Sequence, residues 1–308
     1  MVAEAERCRA GYNPPSMKPA AFDYQAPDSL AAALALLAER GGDAKILAGG
    51  QSLIPVMNFR LAQPALLIDL NRVGELAFLQ KTADGGLAIG AMTRQRRLER
   101  DPLVQEAAPL LAEAVPFIAH PQIRNRGTLG GSLSHADPAA ELPALAVALR
   151  ARLHLRRAGG ERWVEARDFF AGLFTTALAP DEILAEVEIP PLPPRTGWSF
   201  MEVARRRGDY AQVGLAALVT LADDGRCREA RLVFLSVGDR PVEASQAAGL
   251  LAGERLTPEV IAAAADKAAR DEMDPGSDVH ASAAFKRHLA RVLTKRAVAK
   301  AAERAGHG

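Results

Sequence analysis

The chain has 308 residues, 49% hydrophobic and 24% charged, with a formal net charge of +1. Its length suits two domains around sizeable cores, and its charge balance predicts neither nucleic acid nor an anionic membrane surface as a partner. No apolar run is long enough to span a bilayer, and two cysteines fall short of the roughly four thiolates of an iron–sulfur cluster.

Met1 to Ser16 carries scattered charge without an apolar h-region, so it is no secretory signal. Residues 1–17 are expected to be a disordered tail. Cys8 lies in it, so Cys8 and Cys227 do not suggest a structural disulfide, and a reducing, cytoplasmic compartment fits.

Phe22 to Tyr24 predicts a strand. Asp28 is the expected N-cap of a helix with Leu30, Leu34 and Leu37 on one face, stopped at Gly41-Gly42. A strand over Lys45–Leu47 leads into Ala48-Gly49-Gly50-Gln51-Ser52-Leu53, then a helical segment to Arg60. Ala65 to Leu70 is a strand. Leu76–Gln80 and Leu87–Gly90 flank Asp84-Gly85-Gly86 as a hairpin. Thr93 is the expected cap for Arg94–Arg100, and Gln105–Ala114 reads as one helix. Phe117 to Gly127 has no clean period and reads as an ordered loop.

Thr128-Leu129-Gly130-Gly131-Ser132-Leu133 follows, then a helix over Pro138–Leu149. Gly159-Gly160 joins Arg152–Arg156 to Trp163–Glu165, and Glu182–Ile189 alternates as a strand. Pro190 to Pro194 is the expected domain boundary, since four prolines suit neither helix nor sheet interior. Beyond it, Ser199–Val203, Gln212–Leu221 and Cys227–Val237 predict three antiparallel strands. Helices are expected over Val242–Leu251, Pro258–Ala269 and Ala284–Glu303, with a tail at 302–308.

The two glycine-rich stretches carry the functional reading. A Gly-Gly pair lets backbone turn sharply and approach a ligand, and the amides around it can form a phosphate-binding nest. Two nests suit a dinucleotide. Neither stretch matches a Rossmann fingerprint or a P-loop.

Ala48 to Pro55, Arg124 to Leu133 and Ala136-Asp137-Pro138-Ala139-Ala140-Glu141-Leu142-Pro143 together resemble the FAD-binding medium subunit of the molybdenum hydroxylases, the family of xanthine dehydrogenase and aerobic carbon monoxide dehydrogenase. The resemblance runs from about Lys18 to Lys300. It implies an α+β fold. An FAD-binding domain of the vanillyl-alcohol-oxidase type, with two α/β subdomains, would span 18–189. A three-stranded antiparallel sheet with a helical bundle would span 195–301.

It further implies one non-covalent FAD, contacted by Leu47, Ala48, Gly49, Gly50, Gln51, Ser52, Leu53 and Ile54 and by Thr128, Leu129, Gly130, Gly131 and Ser132. Glu141 would accept from a ribose or ribityl hydroxyl, or be a helix-start acid favoured by the macrodipole. Asp137 is a second acidic candidate, or an N-cap followed by Pro138. Ile118 and Leu184 would press on the flavin or adenine, or be plain core. Tyr210 would stack on or hydrogen-bond the ring. Arg205-Arg206-Arg207 is a solvated run, or one Arg of it faces the flavin or a partner subunit. His120 and His135 match no zinc-site spacing, and no metal site or catalytic side chain is assigned.

Molybdopterin and [2Fe-2S] clusters are then expected on a large and a small partner subunit, in a dimer of heterotrimers that passes electrons to an external acceptor. The alternatives are a stand-alone flavin oxidoreductase of this fold and a flavin-free assembly protein.

Overall fold

The computed structural model describes residues 17–307, so the tail expected over 1–17 lies, but for Met17, outside the described residues. β1 (Asp23–Gln25), α1 (Leu30–Arg40), β2 (Ala44–Leu47), α2 (Leu53–Asn58) and β3 (Leu66–Asp69) build a parallel three-stranded sheet of order β1-β3-β2. Leu30, Ala33, Leu34 and Leu37 recur at helical spacing and bury one face of α1 in a core shared with Leu66 and Ile68. The cap is Ser29 rather than Asp28. Its hydroxyl accepts from the Ala32 amide at 3.3 Å, while the Leu30 amide donates to Glu75 at 2.6 Å.

Single helical turns at Leu70–Arg72 and Gly74–Leu76 delay the next strand, so β4 (Leu79–Lys81) starts later than expected and pairs with β5 (Leu87–Gly90). Thr93 does not cap α3 (Gln95–Arg100), because its hydroxyl donates to the Phe78 carbonyl at 2.9 Å. The helix expected over Gln105–Ala114 is two helices, α4 (Pro102–Ala107) and α5 (Pro109–Ala114). Pro109 has no N–H to give and drives Ala108 out of helical conformation, to φ −138° and ψ 61°.

The expected loop 117–127 contains one short helix, α6 (Pro121–Arg124), and α7 (Leu129–His135) and α8 (Glu141–Ala148) follow. Then come β6 (Arg152–Arg157), β7 (Gly160–Glu165), α9 (Ala166–Phe169), the small hairpin of β8 (Phe170–Gly172) and β9 (Thr175–Thr176), and β10 (Ile183–Ile189). A five-stranded antiparallel sheet of order β4-β5-β10-β6-β7 results. Its inner face shares the largest core with α4, α5 and α8.

Beyond the prolines, β11 (Thr196–Val203), β12 (Val213–Leu221), β13 (Cys227–Leu235) and β14 (Val242–Glu243) make a four-stranded antiparallel sheet. The fourth strand, which pairs Val242 with Phe234, is too short to show a period and was expected to be helix. Val213, Leu215, Ala217 and Val219 face α10 (Ser245–Leu251), α11 (Pro258–Asp271) and α12 (Ala283–His307). Ala216 and Leu218 face the N-terminal core. The sheet is therefore the middle layer between the two halves.

Helix α12 corrects the tail expected at 302–308: Ala305 is buried, and Arg304 donates to the Trp198 carbonyl at 2.6 Å. Among the described residues no helix is long and apolar enough to cross a membrane.

Candidate functional site

The first glycine segment leaves the end of β2, where Leu47 pairs with Asp69. Gly50 holds φ +73°, a left-handed conformation that costs a side-chain-bearing residue free energy. A Cβ on Gly49 would fall 2.4 Å from the Arg126 carbonyl oxygen and 2.8 Å from the Gly127 Cα. Only glycine lets the two segments touch there. Among the described residues, no acceptor takes the amides of Gly49, Gly50, Gln51 or Ser52, and the Ser52 hydroxyl does not cap α2. The Gln51 side-chain amide donates back to the Gly49 carbonyl at 3.1 Å. Four such amides in a half-buried turn are backbone donors available to an anion.

The outer side of this turn is braced by residues the sequence did not single out. The Asn71 amide donates to the Ala48 carbonyl at 2.9 Å and also to Asp69. The Arg94 guanidinium donates to both Asn71 and the Arg126 carbonyl. The Tyr24 hydroxyl donates to Asp69 at 2.5 Å, and that bond raises the phenol's pKa. Asp69-Leu70-Asn71 does offer a local signal, two short polar side chains able to bond nearby backbone. Arg94 offers none, since its partners lie far away in sequence.

The second glycine segment is not a loop. Thr128 is the N-cap of α7, and its hydroxyl accepts from the Gly131 amide at 3.0 Å. The Leu129 amide donates to the Thr93 carbonyl, Gly130 to Ala91 and Ser132 to Thr128. The expected second nest is thus corrected: its amides are spent inside the protein. Its glycines serve close packing. A Cβ on Gly130 would lie 2.5 Å from the Ala91 Cβ, and one on Gly131 would lie 2.7 Å from the Thr128 hydroxyl and 3.3 Å from the Ala48 Cβ. The two segments do come together, through Gly49 on Gly127 and Gly131 beside Ala48.

The acidic candidates gather at the next turn. The Asp137 carboxylate accepts from the Ala139 amide at 2.9 Å and closes a turn, while Ala140, not Asp137, is the N-cap of α8. Glu141 opens α8 and is 7% exposed. Burial pushes its pKa up to about 7; the Asp137 charge adds to this and Arg124 opposes it. Glu202 on β11, which the sequence reading passed over, is pushed up to about 8 by burial and by Glu141. Tyr210 is 68% exposed, and desolvation and the charges of Asp137 and Glu141 raise its pKa. Its loop folds back on the N-terminal half: a Cβ on Gly208, φ +89°, would lie 2.4 Å from the His120 ring.

Ile118 and Leu184 are buried in the largest core, as their plain reading expects. Arg205–Arg207 are exposed, with Arg205 3.6 Å from Asp209, which fits a solvated run. His135 lies against Phe174 at a ring separation of 5.0 Å. Burial pushes the Cys227 thiol up to about 11, so it is inert. Among the described residues no group of His, Cys, Asp and Glu could hold a metal ion.

Residues 20–192 match the family of the FAD binding domain in molybdopterin dehydrogenase, and residues 198–301 match the CO dehydrogenase flavoprotein C-terminal domain. The alpha subunit of the 6-hydroxypseudooxynicotine dehydrogenase complex of Paenarthrobacter nicotinovorans is 45% identical over 94% of this chain and 97% of its own length. The structure of carbon monoxide dehydrogenase from Hydrogenophaga pseudoflava, lacking the Mo-pyranopterin moiety, superposes with a TM-score of 0.90 at 40% identity, covering 93% of this chain and 99% of that one. Quinoline 2-oxidoreductase from Pseudomonas putida 86 superposes with a TM-score of 0.89 at 41% identity, over 94% and 99%.

Proposed function

The chain belongs to the FAD-binding medium subunits of the molybdenum hydroxylases, the family of oxidoreductases that includes xanthine dehydrogenase and carbon monoxide dehydrogenase, and on that premise we propose that it holds one non-covalent FAD and carries electrons from [2Fe-2S] clusters on a small partner subunit to an external acceptor. A large molybdopterin subunit carries the substrate chemistry. The assembly is a dimer of heterotrimers in the cytoplasm, with this chain divided near Pro190–Pro194 into a flavin-binding and a C-terminal domain.

The observation that carries this reading is the turn at 49–52. Its four amides without a protein acceptor among the described residues can take phosphate oxygens, and Gly50, at φ +73°, sets the turn that presents them. Leu47, Ala48, Leu53 and Ile54 flank that turn. Thr128 to Ser132 shape the wall beside it, the amides of Leu129 to Ser132 being already used. Glu141, buried and ionisable near neutrality, accepts from a cofactor hydroxyl, and Asp137 fixes the turn that aims it. Tyr210 covers the same face from the C-terminal domain, while Ile118 and Leu184 back it from the core. Bound FAD supplies one- and two-electron transfer, and the protein supplies position and electrostatics.

The test uses the purified full chain. Acid precipitation releases its flavin into the supernatant. The photoreduced chain is reoxidised by the acceptor that the full complex uses, and the complex's organic substrate leaves the flavin absorbance of the isolated chain unchanged. Bleaching by substrate without any other subunit would overturn the relay and favour a stand-alone oxidoreductase.

A further inference from the structure

In a planar trans peptide the carbonyl of one residue and the N–H of the next point in opposite directions, so a partner on one fixes the aim of the other. Among the described residues every peptide bond is trans. In the first glycine turn the Gly49 carbonyl accepts from the Gln51 side chain at 3.1 Å and the Gly50 carbonyl from the Ile54 amide at 3.2 Å, both local partners. The Ala48 carbonyl accepts instead from a distant segment, the Asn71 carboxamide, at 2.9 Å. Asn71 therefore sets the plane of the Ala48–Gly49 peptide. The Gly49 N–H points the opposite way, and no protein acceptor takes it among the described residues.

Asn71 is exposed, and a lone exposed hydrogen bond gains little against water. Here two charged groups hold the carboxamide. Asp69, buried at the end of β3, accepts from the Asn71 backbone amide at 2.8 Å and from the carboxamide NH2. Its other oxygen takes the Tyr24 hydroxyl at 2.5 Å. The carboxamide oxygen accepts from Arg94, whose second arm donates to the Arg126 carbonyl. A guanidinium only donates, so it fixes which end of the carboxamide is oxygen and leaves the NH2 facing Ala48. The Arg126 carbonyl is also the atom that a Cβ on Gly49 would meet at 2.4 Å. One network thus holds the Ala48 carbonyl on one segment and the Arg126 carbonyl on the other.

We propose that Asn71 is a positioning residue of the flavin site, holding the Ala48–Gly49 peptide so that the Gly49 N–H meets a phosphate of the dinucleotide. This rests on the FAD reading above. Asn71 acts through the peptide, from its outer side. Gly49 tolerates many backbone angles, so without that anchor the peptide can rotate, and an amide that must be turned back on binding weakens affinity. The turn at Leu70–Arg72 does not need the side chain, because the Asn71 backbone N–H keeps its bond to Asp69 whatever the substitution.

The experiment uses the full chain with Asn71→Leu, close in size and neutral but without a donor, and with Asn71→Ala. Flavin fluorescence gives the FAD dissociation constants of the flavin-stripped proteins, and a thermal melt gives their flavin-free stability. Phosphorus NMR reads the diphosphate of FAD bound at saturation. Both variants are expected to bind FAD about tenfold more weakly, the loss of one well-aimed donor to a charged group. The flavin-free melt moves by no more than about 2 °C, and a diphosphate resonance of bound FAD shifts. A merely structural Asn71 would lower the melt and leave the phosphorus spectrum as in wild type. That pattern overturns the inference, as does an FAD dissociation constant within about twofold of wild type in both variants. Wild-type protein that binds no FAD sinks the FAD reading and this inference with it, whereas unaltered binding by the variants leaves the former standing.

Discussion

The two glycine segments look alike in sequence, Gly-Gly with a serine close behind, yet the fold uses them for opposite purposes. At Gly49-Gly50 the chain stays irregular, Gly50 takes φ +73°, and four successive amides find no protein acceptor among the described residues. At Gly130-Gly131 the chain is already helical, and each early amide of α7 has a partner in Thr128, Thr93 or Ala91. The first pair leaves backbone donors unused, although Gly49 also yields its Cβ space to Arg126 and Gly127. The second removes side chains so that α7 can press on β5's exit and on Ala48. A glycine pair therefore reports that a Cβ is unwelcome. Whether a ligand or the protein itself takes the space depends on the amides.

Substitutions can break or sharpen this contrast. The largest effect is expected at Gly49→Val. Its Cβ would meet the Arg126 carbonyl, a backbone atom that cannot swing away. The two segments then separate, and we expect purified protein without flavin and a loss of stability of about 1–3 kcal/mol. Visible absorbance and a thermal melt check both. Flavin content equal to wild type would refute the contact between segments as a requirement for binding.

Gly130→Ala comes next. The new methyl, 2.5 Å from the Ala91 Cβ, overpacks a site with no slack. About 1–3 kcal/mol is lost here too. The distinguishing outcome is that flavin affinity, measured well below the melting temperature, falls far less than in Gly49→Val.

Gly50→Ala should behave in the reverse way. Its Cβ would meet the Ile54 and Leu47 side chains at 3.2 and 3.3 Å, tight contacts that these flexible groups can relieve by shifting a few tenths of an ångström, so most of the cost is the left-handed φ, about 1–2 kcal/mol. If the turn relieves that strain by rotating its amides, the FAD dissociation constant rises tenfold or more while the melting temperature moves by a few degrees. Equal losses in both properties would erase the contrast between the segments.

Thr128→Ala is the smallest. It removes the acceptor for the Gly131 amide and costs about 1 kcal/mol of cap. Thr128→Ser keeps the hydroxyl and should recover that stability. Because the second segment's amides are structural, neither change should shift flavin affinity more than about threefold. Denaturant titration and flavin fluorescence measure the two quantities.

The sequence by itself determined the punctuation and the pattern. Alternation over 183–189 and the apolar run over 212–221 pointed to strands, helical spacing of Leu30, Leu34 and Leu37 to a buried face, and the order of three short motifs to an FAD-binding family. These features are local, so a few neighbouring residues suffice to express them. Tertiary structure decided what each motif is for. Gly131 donates to Thr128 because α7 nucleates there, and Gly49 must lack a Cβ because Arg126, far along the chain, passes over it. Pro109 was visible, yet its split of one helix into two depended on the position Ala108 could adopt. Glu202 was invisible for the same reason. Nothing in Phe200-Met201-Glu202-Val203 says that the Glu202 carboxyl will end half-buried with its Oε2 unpartnered. Local propensity acts over a few residues, whereas the burial of a charge is fixed by whichever distant segment packs across it.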